Sequence, residues 1–446
     1  MATDATRVRI RLAPFGEPQA DLDRLLDWAP GSREATIEFG VDFFTGWQPT
    51  VAGVELLRFA AGAYCADRTV LREFRPDGWT RAFRIAVPVD ARDVWEAADW
   101  PATLGFLTGD RWAIRTYRPR SRRTPAAAGL PIDAVSLFSG GLDSLCGVID
   151  LLEDDPDMRL LLIGHHEGGQ ASTAQRDLYT ALVEKYGERV LLRRMWCRPA
   201  PVDPAQAQPL PTLHERTTRS RSLLFIAAAI AAASAAGADV PVYVPENGWI
   251  GLNVPLTRAR TGSASTRTTH PHFLTLLAAA CRTVGLDNPI VNPYRLSTKG
   301  EMLAACRNRR LLARLAPDSV SCAHPETPRW RDRQQGNCGY CLPCLVRRAS
   351  LGRIRRDLAD DYAWDALTDA DLLDPAQRTG ADLRALVHGV NPHRDELAIV
   401  RNAPLPDGEH QAHLQMWRRG AKEIRTWLAG AASPLAQFTA TAWGSR

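Results

Sequence analysis

Two short stretches hold the residue types from which a reactive site can be built. The first runs from Ala134 to Leu152, AVSLFSGGLDSLCGVIDLL, where an apolar run enters Ser139-Gly140-Gly141-Leu142-Asp143-Ser144 and a helical pattern follows at once. Adjacent glycines let the backbone turn tightly and approach an anion with no Cβ in the way. The helix that follows offers unpaired N–H groups and the positive end of its dipole. Ser139 and Ser144 add hydroxyl donors. Asp143 is the odd member, because a carboxylate repels phosphate; it makes sense if it holds Mg²⁺ or orients the loop. No GKS or GKT is present, so this is not a Walker A loop. The competing reading is a Gly-Gly turn with a Ser or Asp helix cap.

The second stretch is SCAHPETPRWRDRQQGNCGYCLPCLVRRASL, Ser321 to Leu351, with Cys322 followed at a distance by Cys338, Cys341 and Cys344 at CxxCxxC spacing. Four thiolates meet the needs of tetrahedral Zn²⁺, and with no open position the centre reads as structural. Gly339 relaxes the tight turn of a chelate loop, and Arg347 and Arg348 are expected to offset the charge of a Zn(Cys)₄ centre. An iron–sulfur cluster is the rival reading, since three close cysteines and one distant one also suit it.

The elements that must position these residues follow from hydrophobic patterning. From Pro131 onward, short apolar runs (Ala134 to Phe138, Leu160 to Gly164, Val190 to Met195, Val240 to Val244, Ile290 to Asn292) alternate with helical segments (Leu142 to Glu153, Ala171 to Tyr186, Thr217 to Ala236, His272 to Val284, Thr298 to Leu315). That is the pattern of a doubly wound α/β domain with a parallel sheet covered on both faces, which binds ligands at the carboxyl ends of its strands. Residues 1–117 read as a small α+β domain, with strands at Arg7 to Leu12, Thr36 to Phe39, Ala82 to Val87 and Arg111 to Tyr117, and one helix from Ala91 toward Leu107. Residues 118–131, RPRSRRTPAAAGLP, read as a basic Pro/Ala linker. The sheet domain spans 132–357, and 358–446 reads as a helical C-terminal region.

Composition sets the class. The chain has 446 residues, 45% hydrophobic and 24% charged, which excludes a largely disordered chain, a collagen-like fibre and a coiled coil. Its 55 basic and 50 acidic side chains leave a net charge of +5, too weak to imply nucleic-acid binding. Nine cysteines, three of them crowded together, fit metal binding in a reducing compartment better than a disulfide framework. MATDATRVRIRL lacks the apolar core of a signal peptide, and the alanine-rich run Leu223 to Ala238 is expected to be a buried helix rather than a membrane span. A cytoplasmic protein with no membrane partner is expected.

The loop is similar to the PP-loop, SGGxDS, of the ATP pyrophosphatases, which transfer AMP to a substrate oxygen and hold the departing pyrophosphate in that loop. Together, loop and cysteine cluster resemble the QueC family of 7-cyano-7-deazaguanine synthases, with CGYCLPCLVRR close to the family's CGxCxxC ending. Gly169-Gln170 is similar to its YGQ, Arg219 to Phe225 to the segment opening its long helix, and Thr298-Lys299-Gly300-Glu301 to its TKxE motif. The likeness covers about residues 132 to 352. The terminal regions and the segment Glu246 to Phe273 depart from the core enzymes; they look more like the QueC-like branch of bacterial anti-phage defence operons, the QatC type.

The resemblance implies ATP, Mg²⁺ and Zn²⁺, and adenylation of a 7-deazaguanine carboxylate followed by attack of ammonia or an amine. The product is an amide, a nitrile or a conjugate with another protein of the operon; a homodimer stays open. ATP is expected on Phe138, Ser139, Gly140, Gly141, Leu142, Asp143 and Ser144, and substrate on Gln170, Arg219, Arg221, Glu246, Asn247 and Arg267. Lys299 sits in the first turn after a T-x-x-E capping box, where a cation opposes the helix dipole; a phosphate or carboxylate partner is expected, with a solvated lysine as the alternative. Arg260 and His270 are further phosphate candidates. Backbone near Ile163 to His165 is expected to meet adenine, while a His165–His166 metal pair is disfavoured because neighbours on an extended chain point apart. Cys197 is the residue a tRNA-thiolating PP-loop enzyme would use; a buried or surface thiol is the plainer reading. Trp330, Trp364, Trp417 and Trp427 are expected in the core or at docking faces. A non-catalytic nucleotide-binding component of a defence complex is the remaining alternative.

Overall fold

The structure, a computed structural model, describes residues 7–14, 24–28, 37–39, 43, 45–73, 75, 77–118, 129–165, 169–199, 215, 219–257, 267–327, 336–394, 399 and 402–444. In chain order the first region holds β1 (Arg7–Pro14), β2 (Arg24–Trp28), β3 (Ile37–Phe39), α1 (Val51–Thr69), β4 (Ala82–Pro88), α2 (Arg92–Ala97), α3 (Trp100–Thr108) and β5 (Arg111–Tyr117). There follow β6 (Ala134–Leu137), α4 (Leu142–Asp154), β7 (Leu160–His165), α5 (Gly169–Tyr186), β8 (Val190–Met195), β9 (Cys197–Pro199), α6 (Arg221–Ala236), β10 (Val242–Tyr243), α7 (Gly248–Leu252), α8 (Pro271–Thr283), β11 (Ile290–Val291), α9 (Lys299–Ala305) and α10 (Arg309–Leu315). The chain closes with α11 (Leu342–Leu351), α12 (Ala381–Gly389), α13 (His410–Leu428) and α14 (Ser433–Gly444).

The second sheet has the order β11-β10-β6-β7-β8 and is parallel throughout. The chain winds outward from β6 to β8, then returns across β6 to β10. A crevice therefore opens at the carboxyl ends of β6 and β10, where the winding reverses, and ligands bind such sheets there. This is the α/β parallel architecture expected from the alternating pattern.

The first sheet differs from the α+β arrangement expected. Its order is β5-β4-β1-β2-β3-β9, parallel over the first five strands, with β9 joining antiparallel through Phe39 and Cys197. One core runs through both regions. Alanine-rich α1 and α6 pack together, and Thr50 Oγ1 lies 3.1 Å from Ser234 Oγ across the seam. Of the run Leu223 to Ala238, expected to be a buried helix, the part to Ala236 is helical and largely buried as far as Ser234, and Gly237 ends it. Among the described residues no helix is long and apolar enough to cross a membrane. Most of the proposed linker lies outside the described residues.

Two expected helices are broken in two. Between α2 and α3, the Asp99 side chain accepts from Ala102 N at 3.0 Å, and Pro101 has no N–H to continue the ladder. Between α9 and α10, Arg307 N donates to Asp150 Oδ1 at 2.8 Å, and Asn308 caps the new start by accepting from Leu311 N at 3.1 Å.

Candidate functional site

Strand β6 is buried and hands the chain to the glycine loop at the crevice. Phe138 N donates to Ile163 O at 2.8 Å, which fixes the exit direction. Gly140 has φ +79°, and a Cβ there would stand 3.1 Å from Gln175 N and 3.2 Å from Ala171 O, so the first turns of α5 close on the loop. Ser139 Oγ accepts from Gly141 N at 3.3 Å and lies 3.2 Å from Ser144 Oγ, which donates to Gly141 O at 2.9 Å. Leu142 N, at the first turn of α4, donates to Ser321 Oγ at 3.1 Å, and Val320 N donates to Gly140 O at 2.9 Å.

Around Asp143 three other side chains converge. The Lys299 ammonium is ion-paired with Asp143 Oδ1. Asn247 donates to Asp143 Oδ2 from its amide at 2.7 Å and from its backbone N–H at 3.2 Å, and its amide also reaches Glu246 Oε1 at 3.3 Å. Glu246 and Asn247 follow β10, so residues from both lips of the crevice meet on one carboxylate. Close approach is allowed by Gly147, where a Cβ would stand 2.5 Å from the Pro245 ring.

Burial raises the Asp143 carboxyl, but the Lys299 charge and the hydrogen bonds from Glu246, Lys299 and Asn247 outweigh it and hold the group at about 2. Glu246 moves the other way: burial pushes its carboxyl up, and the neighbouring Asp143 carboxylate adds to the shift. The two neighbouring carboxyls thus part in opposite directions, Asp143 the more acidic and Glu246 the less. Asn247, expected on a substrate edge, has its amide committed inside the protein, its Oδ1 accepting from Ile250 N at 3.1 Å.

The four cysteines form the second centre. Cys322, Cys338, Cys341 and Cys344 place their sulfurs within 4.8 Å of one another, an arrangement that could hold a metal ion and is compatible with zinc. Tetrahedral corners at a Zn–S distance of about 2.3 Å lie about 3.8 Å apart; Cys322 Sγ to Cys341 Sγ is 3.8 Å and Cys338 Sγ to Cys344 Sγ is 4.0 Å. Backbone N–H groups of Ala323, His324, Cys338 and Cys341 point at the sulfurs over 3.2–3.4 Å. Gly339 takes φ +93°, as a chelate turn requires. Arg347 and Arg348 do not serve as expected. Arg347 donates to Ser319 Oγ at 2.7 Å and to Ala316 O at 2.5 Å, while Arg348 pairs with Asp357 at 2.9 Å and Asp365 at 2.7 Å. Arg347 thereby holds the segment whose next residues, Val320 and Ser321, reach the glycine loop.

The remaining candidates are dispersed. Arg221 Nε donates to His165 Nδ1 at 3.2 Å beside the end of β7. His165 O accepts from the Gln175 amide at 3.3 Å, so that carbonyl is engaged internally. Arg219 lies over the Trp79 ring, and Arg267 lies over Phe106 and donates to its carbonyl at 3.1 Å; both face the first region rather than the loop. Burial, then Arg72 and Arg267, lower Arg219 to about 10. Gln170 N donates to Glu326 Oε1 at 3.2 Å, and Gln170 lines a cavity of about 710 Å³ with Asp177, Asp318 and Tyr362. His270 caps α8 by accepting from His272 N. Cys197 is fully buried at the seam, and Trp364 and Trp417 are core residues packed with a half-buried Trp427. His166, Arg260 and Trp330 lie outside the described residues.

Sequence reasoning missed Ser321, whose only local signal is its place beside Cys322. It also missed how singular Lys299 is: the chain has three lysines, Lys185, Lys299 and Lys422, among 55 basic side chains. A chain that uses arginine almost everywhere keeps a compact ammonium at this point, a difference in chemistry rather than in charge. Compared with protein-family models, with curated proteins and with solved structures, the chain has no significant match.

Proposed function

We propose that this chain is an ATP-dependent C–N ligase of the QueC type, acting on a 7-deazaguanine carboxylate. The observation that carries the reading is the convergence on Asp143: a glycine loop with positive φ and a helix N-terminus from one lip of the switch-point crevice, Asn247 and Glu246 from the other, and Lys299 between them. In this reading the loop N–H groups and the α4 dipole take the terminal phosphates of ATP, with oxygens replacing the contact that Ser321 Oγ makes with Leu142 N.

The residues fit the implied ions. Asp143 and Glu246 stand side by side at the crevice, which suits a divalent cation held by both, whose charge would favour the ionised form of each. When bound, Mg²⁺ would neutralise triphosphate charge. The four sulfurs crowd round one point, which suits a single zinc ion better than a cluster that spreads its ligands over several irons.

A substrate carboxylate oxygen attacks the α-phosphorus, the bond to the bridging oxygen breaks, and pyrophosphate leaves toward the loop. Lys299 supplies positive charge where negative charge builds up on the α-phosphoryl oxygens. An amine then adds to the acyl carbon, loses a proton and expels AMP, giving an amide; a second ATP-driven round would give the nitrile. An amine on a partner protein would instead yield a conjugate.

The test is ATP turnover with and without 7-carboxy-7-deazaguanine, scored for AMP and pyrophosphate. Turnover is expected only with the acid present, and Asp143→Ala is expected to reduce it by about a thousandfold or more while zinc content stays at one ion per chain. ADP as product, or full activity in the variant, overturns the reading. A brown, iron-containing protein would favour the tRNA-thiolating alternative, and nucleotide binding without turnover the non-catalytic one.

A further inference from the structure

The C-terminal helix α13 shapes the candidate site from outside it. It lies along α9, the short helix that begins with Lys299. Glu423 Oε1 accepts from Thr298 Oγ1 at 2.6 Å, and Glu423 Oε2 accepts from Gly300 N at 3.3 Å. Thr298 Oγ1 itself accepts from Glu301 N at 3.1 Å, so its hydroxyl hydrogen is left to point at Glu423. One turn earlier on α13, Arg419 Nε donates to Glu301 Oε1 at 2.5 Å and Arg419 Nη2 to Leu296 O at 3.0 Å. One helix therefore pins the chain on both sides of Lys299.

The contact is tight and electrostatically apt. A Cβ on Gly300 would stand 2.6–2.8 Å from the Glu423 carboxylate, so the helix start and the carboxylate approach as closely as a glycine allows. Lys299 is a cation at the positive end of α9, where the dipole disfavours it. A carboxylate brought to the same end offsets that penalty without touching the ammonium, which stays directed at Asp143. The same helix packs on α7, whose cap is Asn247, so α13 braces both residues that hold Asp143.

We infer that Glu423 is a positioning residue for Lys299: acting through Thr298 and Gly300, it fixes the start of α9 so that the ammonium meets Asp143, and the C-terminal region is thereby part of the catalytic apparatus. The effect on turnover rests on the adenylation reading; the placement of Lys299 does not.

With three lysines in the chain, acetylation of the full-length protein by a small acylating reagent can be followed residue by residue by mass spectrometry. Lys185 is exposed and serves as the reference, whereas Lys299 is 5% exposed and ion-paired. Wild-type Lys299 is expected to react far more slowly than Lys185. Glu423→Ala is expected to raise the Lys299 to Lys185 ratio about tenfold, the effect of a local shift near 1.4 kcal/mol. Glu423→Gln, which can still accept from Thr298 but turns an amide toward Gly300 N, should fall between the two. Gly300→Ala displaces the carboxylate without deleting it; it should raise the ratio alone and add nothing in the Glu423→Ala background. If Glu423→Ala does not fold, Gly300→Ala decides the matter. An unchanged ratio in the folded variants overturns the inference. Where wild type turns over ATP, Glu423→Ala and Gly300→Ala should each lower kcat about tenfold with KM for ATP within about twofold. Absence of wild-type turnover would sink the adenylation reading and leave the labelling result to decide on Glu423.

Discussion

Two clusters of buried charge in this molecule are built differently. In the first region Arg72 and Arg81 meet Asp67 and Asp110; at the crevice Lys299 meets Asp143, and Asn247 bridges Asp143 to Glu246. The first cluster is closed. Asp110 takes both guanidinium groups at 2.7–3.2 Å and the Arg81 N–H at 2.9 Å, while Asp67 takes Arg81 on one oxygen and Ser220 N and Oγ, at 2.9 and 2.6 Å, on the other. Two guanidinium groups face two carboxylates whose oxygens are all engaged. The second has two carboxyls and one ammonium, and burial together with the Asp143 charge raises the Glu246 carboxyl. A closed cluster is scaffold: here it ties α1 to the start of α6 and so sets Arg221 beside His165. A cluster left short of positive charge at a sheet's switch point is where a cationic or metal-bearing ligand fits.

The largest expected effect of this difference is on stability. Arg81→Met leaves Asp67 and Asp110 buried with one guanidinium between them, and breaking a buried pair in this way costs roughly 3–5 kcal/mol. Denaturant unfolding should show it, and a loss below about 1 kcal/mol would mean that the first cluster is not the closed unit its geometry describes.

Lys299→Met should cost less, about 1–2 kcal/mol, because the crevice carboxyls can neutralise themselves by taking a further proton. The contrast sharpens with Mg²⁺. Millimolar Mg²⁺ should raise the unfolding temperature of Lys299→Met more than that of Arg81→Met, since an ion that binds only the folded state stabilises it and the first variant leaves Asp143 and Glu246 without the competing ammonium. Equal responses in the two variants would erase the distinction between scaffold and site.

How much of this was legible in the sequence differs between the two clusters for a physical reason. The glycine loop announces itself locally: a strand, two glycines and a helix start are adjacent in the chain, and Gly140 does take the positive φ that its type allows. The cysteine quartet is equally local apart from Cys322. Lys299 was marked by its capping box, and Thr298 and Glu301 do form one. The closed cluster carries no such mark. Asp67, Arg72, Arg81 and Asp110 follow no periodicity, and it takes the β4–β5 pairing and the packing of α1 against β4 to bring them together. Glu246 and Asn247 were recognisable as strand-end residues, but their partner stands 104 residues from Asn247, and nothing local to either announces the pairing. Glu423 was invisible for the same reason: a capping carboxylate supplied by another helix leaves no local signal at the helix it caps.

The smallest effect concerns Glu246. Its carboxyl is raised above the ordinary 4.5, by burial first and by the Asp143 charge second. The folded chain therefore keeps a proton that the unfolded chain releases. The stability tied to that proton is complete below about pH 4.5 and is lost as pH rises through the higher folded value. Glu246→Gln carries no charge at any pH and its amide can still donate to Asp143. It should match wild type in acid and exceed it at neutral pH by on the order of 1 kcal/mol, measured as unfolding free energy against pH without nucleotide or divalent cation. The sign matters more than the size. A variant less stable than wild type at neutral pH would mean that the Glu246 carboxylate is satisfied in the resting protein, and that the crevice is a second closed cluster.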